Sequence, residues 1–173
     1  MSQVNYCLPQ HGSQYLGSII NSVVLDSISN TGTTFPQTPE GYSDYTNLQT
    51  TLLTGSTYVL TVTTGTGFPH NFAAWIDYDH DGEFNVGERI GLKMLSGLTA
   101  ATWTFTVPSN ALDGATRLRV RALLEPFGPW QLSHHPCIPF TEGEAEDYTV
   151  VITGGSTVDV APTLLVQPVS RLG

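Results

Sequence analysis

Two stretches of this sequence alternate strictly between apolar and polar residues. Trp103, Phe105 and Val107 are interleaved with Thr102, Thr104 and Thr106, and Leu118, Val120 and Ala122 with Arg117, Arg119 and Arg121. A period of two places each set on its own face of an extended chain. Strands with one apolar and one polar face belong to antiparallel sheets covered on one side. Further β-like runs lie at 19–28, 58–63, 72–77 and 146–152, separated by Gly, Pro, Asn and Ser. No segment sustains a helical period. The pattern predicts an all-β fold, an antiparallel, jelly-roll-like β-sandwich over residues 1–153. Residues 154–173 carry Gly, Ser, Thr and Pro and read as a linker or C-terminal tail toward another domain. At 173 residues and 40% hydrophobic content, the chain can bury one proper core.

Between two of the expected strands lies Asp77-Tyr78-Asp79-His80-Asp81-Gly82-Glu83-Phe84-Asn85-Val86-Gly87-Glu88. Its oxygen ligands are spaced as in a twelve-residue calcium loop. Asp77, Asp79 and Asp81 hold positions one, three and five, and Gly82 sits at the sharp turn. Glu83 would offer its carbonyl at position seven, Asn85 a direct or water-mediated contact at nine, and Glu88 a bidentate carboxylate at twelve. Phe84 would anchor the loop from below. Ca²⁺ is a hard cation that takes six to eight oxygens, and alternate residues of a tight turn can aim them at one centre. The other reading is an Asp/Gly-rich turn whose side chains cap their own backbone. The flanks differ from those of a helix–loop–helix calcium motif, because Phe72–Ile76 is aromatic and β-branched and nothing after Arg89 is helical. The loop is expected to join strands.

Charge is sparse and unevenly placed. Six Lys and Arg against fifteen Asp and Glu leave a net charge of −9, which argues against nucleic acid and anionic lipid as partners. Nine of the fifteen acids fall in residues 77–88 and 142–147, as a cation site requires. No stretch is long and apolar enough for membrane insertion. Met1-Ser2-Gln3 begins no signal peptide, and the chain reads as a piece of a longer protein. Cys7 and Cys137 could form a disulfide closing nearly the whole domain, worth about 3–5 kcal/mol in the chain-entropy view, or could stand as buried thiols. An enzyme is not expected. There is no His-Glu-x-x-His helix, no Gly-x-Ser-x-Gly elbow and no phosphate-cradling loop, and the carboxylates fall at metal-loop rather than glycosidase spacing.

Several separate motifs, in order over residues 6–153, resemble the GEVED domain family. They are Tyr6-Cys7, Gly41-Tyr42-Ser43-Asp44-Tyr45-Thr46, the Trp75-Ile76-Asp77 lead into the loop, Thr116-Arg117-Leu118-Arg119-Val120, Cys137 and Gly143-Glu144-Ala145-Glu146-Asp147-Tyr148. The namesake motif departs once, at Ala145, where the family has Val. The resemblance implies a non-catalytic β-sandwich module of large secreted or cell-surface bacterial proteins, of the kind appended to peptidases, glycoside hydrolases or adhesins.

In a strand starting near Glu144, Glu144, Glu146 and Tyr148 share a face and Asp147 points the other way. Glu146 would head toward the apolar side and would need a cation or an Arg there. Asp44, Glu144, Glu146 and Asp147 are therefore further candidates for the metal or its support, with an Asx turn as the alternative for Asp44. Arg117, Arg119 and Arg121 could pair internally or hold an anionic ligand, Arg121 being the freer. The 125–136 segment carries Phe127, Trp130 and His134, and aromatic faces stack on sugar rings. Trp130 would either stack on a ligand or cover one end of the core. His134 and His135 beside Cys137 read as solvated in preference to a transition-metal site. The expected protein is a Ca²⁺-stabilised extracellular module that binds a polysaccharide or protein ligand through Phe127, Trp130, His134 and Arg121, next to other domains of its parent chain. The alternative is a structural or adhesive spacer.

Overall fold

Both alternating stretches are strands, and their apolar faces look at each other across one core. In the computed structural model, which describes residues 4–9, 20–34, 38, 41–65, 70–93, 99–124, 135–139 and 143–155, the strands are β1 (Ile20–Leu25), β2 (Ile28–Thr31), β3 (Tyr42–Leu53), β4 (Thr57–Thr64), β5 (His70–Ile76), β6 (Arg89–Lys93), β7 (Ala100–Thr106), β8 (Gly114–Leu124) and β9 (Gly143–Thr153). They form a four-stranded sheet in the order β2-β1-β4-β7 and a five-stranded sheet in the order β3-β9-β8-β5-β6. The only helix among the described residues is one 3-10 turn, Val86–Glu88.

Side chains from both sheets share the interior. Leu60, Val62, Trp103 and Phe105 of the smaller sheet meet Phe72, Ile76, Leu118, Val120 and Ile152 of the larger. The fold is thus the expected all-β sandwich. On the smaller sheet's outer face, Thr57 and Thr61 of β4 share hydroxyl hydrogen bonds with Thr106 and Thr102 of β7.

Two features depart from expectation. Within the run 19–28, Ile20–Leu25 is a strand and Ile28 starts its hairpin partner, because Asp26 turns the chain at φ 49° and Leu25 pairs with Ile28. The 12-residue β3 lies outside the expected runs and pairs with β9 in parallel, so the larger sheet is mixed rather than purely antiparallel. Its register jumps between Tyr45 and Gln49, where Asp44 accepts a hydrogen bond from the Thr46 N–H and Thr149 donates to the Thr46 carbonyl. Such a bulge shifts the inward-facing phase from Ser43 and Tyr45 to Thr50 and Leu52, so no single period of two runs through the strand.

The outer face of the larger sheet is covered over its middle strand. Residues 4–9 lie against residues 135–139, and Cys7 and Cys137 are joined in a disulfide with their Cα atoms 5.6 Å apart. Arg119 of β8 is wholly buried beneath this strap and donates to the carbonyls of Cys7 and Pro136.

Candidate metal centre

Strand β5 delivers Asp77 to the end of the larger sheet, and the loop after it returns as β6, with Arg89 pairing back to Trp75. The loop therefore joins two antiparallel neighbours, as its flanks indicated. The Asp77 N–H donates to the Arg117 carbonyl, extending the β5–β8 pairing by one residue. Its carboxylate is completely buried. One oxygen, Oδ2, accepts from Gly82 N at 3.1 Å and from the Tyr6 hydroxyl at 2.6 Å, and Oδ1 accepts from Asp81 N at 3.2 Å. The Asp81 carboxylate accepts from Glu83 N. Carboxylate oxygens of Asp77, Asp79 and Asp81 lie within 4.8 Å of one another.

Gly82 makes this convergence possible. It sits at φ 88°, and a Cβ there would fall 2.6 Å from Val4 Cγ1 of the strap. Partial burial, then the charges of Asp81 and Asp77, push the Asp79 carboxyl above its ordinary range. Such a group of hard oxygens, with no nitrogen or sulfur ligand in the cluster, suits Ca²⁺ better than a transition metal.

The rest of the expected ligand set is engaged in shaping the loop. Glu88 is buried and accepts from Tyr78 N at 2.8 Å and Asn85 N at 2.9 Å. With the Asn85 side chain accepting from Gly87 N, it closes a capping box around the 3-10 turn. Burial, with Asp77 and Asp79 nearby, raises the Glu88 carboxyl despite these backbone donors. Glu83 is exposed. Phe84 is the expected anchor, packed with Ala73 and Trp75 and flanked by Tyr6.

The acidic motif divides between the two faces of β9. Asp147 lies directly opposite Arg119 in the β8–β9 register. Its wholly buried carboxylate accepts from Arg119 Nε at 2.7 Å, Arg119 Nη2 at 2.8 Å, Arg117 Nη1 at 2.8 Å and the Tyr42 hydroxyl at 2.9 Å. The three arginines project outward because Leu118, Val120 and Ala122 fill the inner face, so they cannot balance an inward carboxylate. Glu144 and Glu146 point inward and are wholly buried. Glu144 accepts from Ile20 N and the Ser43 hydroxyl, both at 2.8 Å, tying β1 of the smaller sheet to β3 and β9 of the larger. Glu146 Oε2 accepts from the Tyr148 hydroxyl at 2.6 Å, while Oε1 has no hydrogen-bond partner. No arginine meets Glu146 among the described residues. Burial raises both glutamates, and the charge of Glu144 raises Glu146 further, so the pair holds a proton well above the usual carboxylate range.

Arg121, expected to be the freer arginine and to face a ligand, is wholly buried and donates from Nη2 to the Ile138 carbonyl at 2.9 Å. The strap covers it. Phe127, Trp130 and His134 lie outside the described residues. Tyr6 and Thr116, which touch Asp77 through its side chain and its carbonyl, were not among the expected site residues. The one sequence signal for Tyr6 is its place beside Cys7.

Residues 71–151 match the family model of the GEVED domain. Over this stretch the chain is similar to the GEVED domain family. The match begins on β5 and spans the loop, the arginine stripe and the acidic motif, a little under half of the 173 residues. No curated protein matches the chain. GEVED domains are accessory modules rather than known catalytic ones. Here four of the five positions of the namesake motif have a structural account. Gly143 sits at φ 152°, where a Cβ would come 2.4 Å from the Ala122 carbonyl oxygen. Glu144 ties the sheets, Ala145 packs with Leu123, and Asp147 pairs with Arg117 and Arg119. No helix among the described residues is long and apolar enough to cross a membrane, and the disulfide fits an oxidising compartment.

Asp147→Ala strands Arg119 in a buried site without its counter-charge. Urea unfolding should show a loss of roughly 3–5 kcal/mol. The glutamate pair gives a pH signature. Because its folded-state proton affinity exceeds that of the unfolded chain, its contribution to stability is full below the ordinary Glu value of 4.5 and declines as pH rises through the raised folded range. Melts in chelator should show Glu146→Gln gaining on the wild type between about pH 5 and pH 8, and parallel curves would remove the pair as the cause.

Proposed function

We propose that this GEVED-like domain is a calcium-stabilised accessory module of a secreted or cell-surface bacterial protein, binding or presenting rather than catalysing. The convergence of Asp77, Asp79 and Asp81 on the Gly82 turn carries this reading. Those three residues would hold Ca²⁺, with Asp77 at the buried root and Glu83, Asn85 and Glu88 shaping the turn. The ion would cancel the repulsion that raises Asp79, so its binding free energy would add to folding stability. The compartment reading draws on the disulfide, and calcium-stabilised modules suit the high calcium outside cells.

The ligand would be a polysaccharide or an extracellular protein, taken up by the 125–136 segment with Trp130 and Phe127. The alternative is a structural or adhesive spacer between neighbouring domains of the parent chain. It is favoured by the outer face of the larger sheet, where the strap and the Arg–Asp network occupy much of the surface a ligand would use.

Calorimetric titration of CaCl2 into chelator-treated protein should show stoichiometric uptake. At a hundredfold excess over Kd the melting temperature should rise by roughly 5–10 °C, and Asp79→Ala should lose both effects. Neither heat nor shift in the wild type would leave a solvated acidic turn and end the calcium reading. On affinity gels containing soluble polysaccharides, retardation abolished by Trp130→Ala supports glycan binding. Free migration on every glycan supports the protein-binding or spacer reading.

A further inference from the structure

The strap and the loop meet at one residue. Tyr6 directly precedes the crosslinked Cys7, and its hydroxyl donates to Asp77 Oδ2 at 2.6 Å across 71 positions of sequence. Its ring lies 5.4 Å from that of Phe84, at position eight of the loop, with the Arg117 guanidinium 4.5 Å above the other side. Two residues earlier, Val4 covers Gly82, the hinge of the loop, so closely that a Cβ there would collide with it. The strap is fixed in turn. Arg119 donates to the carbonyls on both sides of the crosslink, Cys7 and Pro136, while its own charge is locked to Asp147.

Asp77 is the most buried of the three converging carboxylates, so its orientation is set by the protein groups packed around it. Gly82 N and the Tyr6 hydroxyl both donate to Oδ2, while Oδ1 accepts from the Asp81 N–H. Outer donors of this kind fix the rotamer of a metal-binding carboxylate before the ion arrives, and their loss typically weakens metal affinity by about 10-fold or more.

We propose that Tyr6 is a positioning residue of the metal centre and that the Cys7–Cys137 crosslink, by presenting Tyr6 to Asp77, sets the affinity of the loop for its cation. The inference rests on the calcium reading above. It assigns part of the metal site to a segment outside the loop and outside the 71–151 family match, and it makes the disulfide a determinant of metal binding as well as of folding.

The test titrates CaCl2 by calorimetry into the chelator-treated full chain, as wild type, Tyr6→Phe, Cys7→Ser/Cys137→Ser and the triple variant. Tyr6→Phe keeps the ring between Phe84 and Arg117 and removes only the hydroxyl. It should bind Ca²⁺ about 10-fold more weakly, and its calcium-induced rise in melting temperature should shrink. The serine pair should weaken binding in the same direction. Adding Tyr6→Phe to it should then cost clearly less than in the crosslinked chain, because an untethered strap no longer presents the phenol. Wild-type affinity in Tyr6→Phe overturns the proposal, as does full additivity of the two changes. If the serine pair does not fold, Tyr6→Phe with the crosslink intact decides alone. A wild type that takes up no Ca²⁺ overturns the calcium reading together with this one, and the first titration already separates that failure from failure of the coupling.

Discussion

The buried carboxylate of Asp147 is the interaction on which the outer half of this domain depends. It gathers Arg117, Arg119 and Tyr42 around one pair of oxygens, in a setting where an unpaired guanidinium would be expensive. The consequences spread through those partners. Arg119, once neutralised, holds the two chain segments of the disulfide through their carbonyls. Arg117 lies over Tyr6, and Tyr6 orients Asp77 at the root of the loop. A charge on β9 therefore reaches the acidic loop after β5 through a short series of contacts.

The inward side of the same strand follows different physics. Glu144 and Glu146 stand an odd number of positions from Asp147, three and one, and they meet backbone, hydroxyl and phenol donors instead of guanidinium groups. Two carboxyls so placed cannot both ionise cheaply. One acidic motif thus contains an arginine-paired anchor on one face and a proton-holding pair on the other, separated by the thickness of a single strand.

Much of this was legible beforehand for a definite reason. Strict alternation at 102–107 and 117–122 named the strands and their inner faces, and parity alone sent Glu146 inward and Asp147 outward. The Asp77, Asp79, Asp81, Gly82 spacing named the converging carboxylates. What stayed hidden depends on contacts distant in sequence or on competition within the loop. Strand β3 changes phase at its bulge, so its pattern cancels. Glu88 fits a ligand position by spacing but is held by the N–H groups of Tyr78 and Asn85, which lie closer to it than any pattern reveals. Tyr6 has no local periodicity that points to Asp77.

The parallel partnership of β3 and β9 bears on the order in which the domain assembles. Thr46 and Thr149 are bonded across 103 positions, and β3 lies at the edge of its sheet, with β9 its neighbour there. As the chain emerges from its N-terminus, β3 must wait with its backbone groups unpaired until the last strand is available. Contacts this distant make closure slow and late. The larger sheet is therefore completed from the C-terminal end of the domain, and a chain stopped short of Gly143 would expose the polar edge of β8 as well as all of β3.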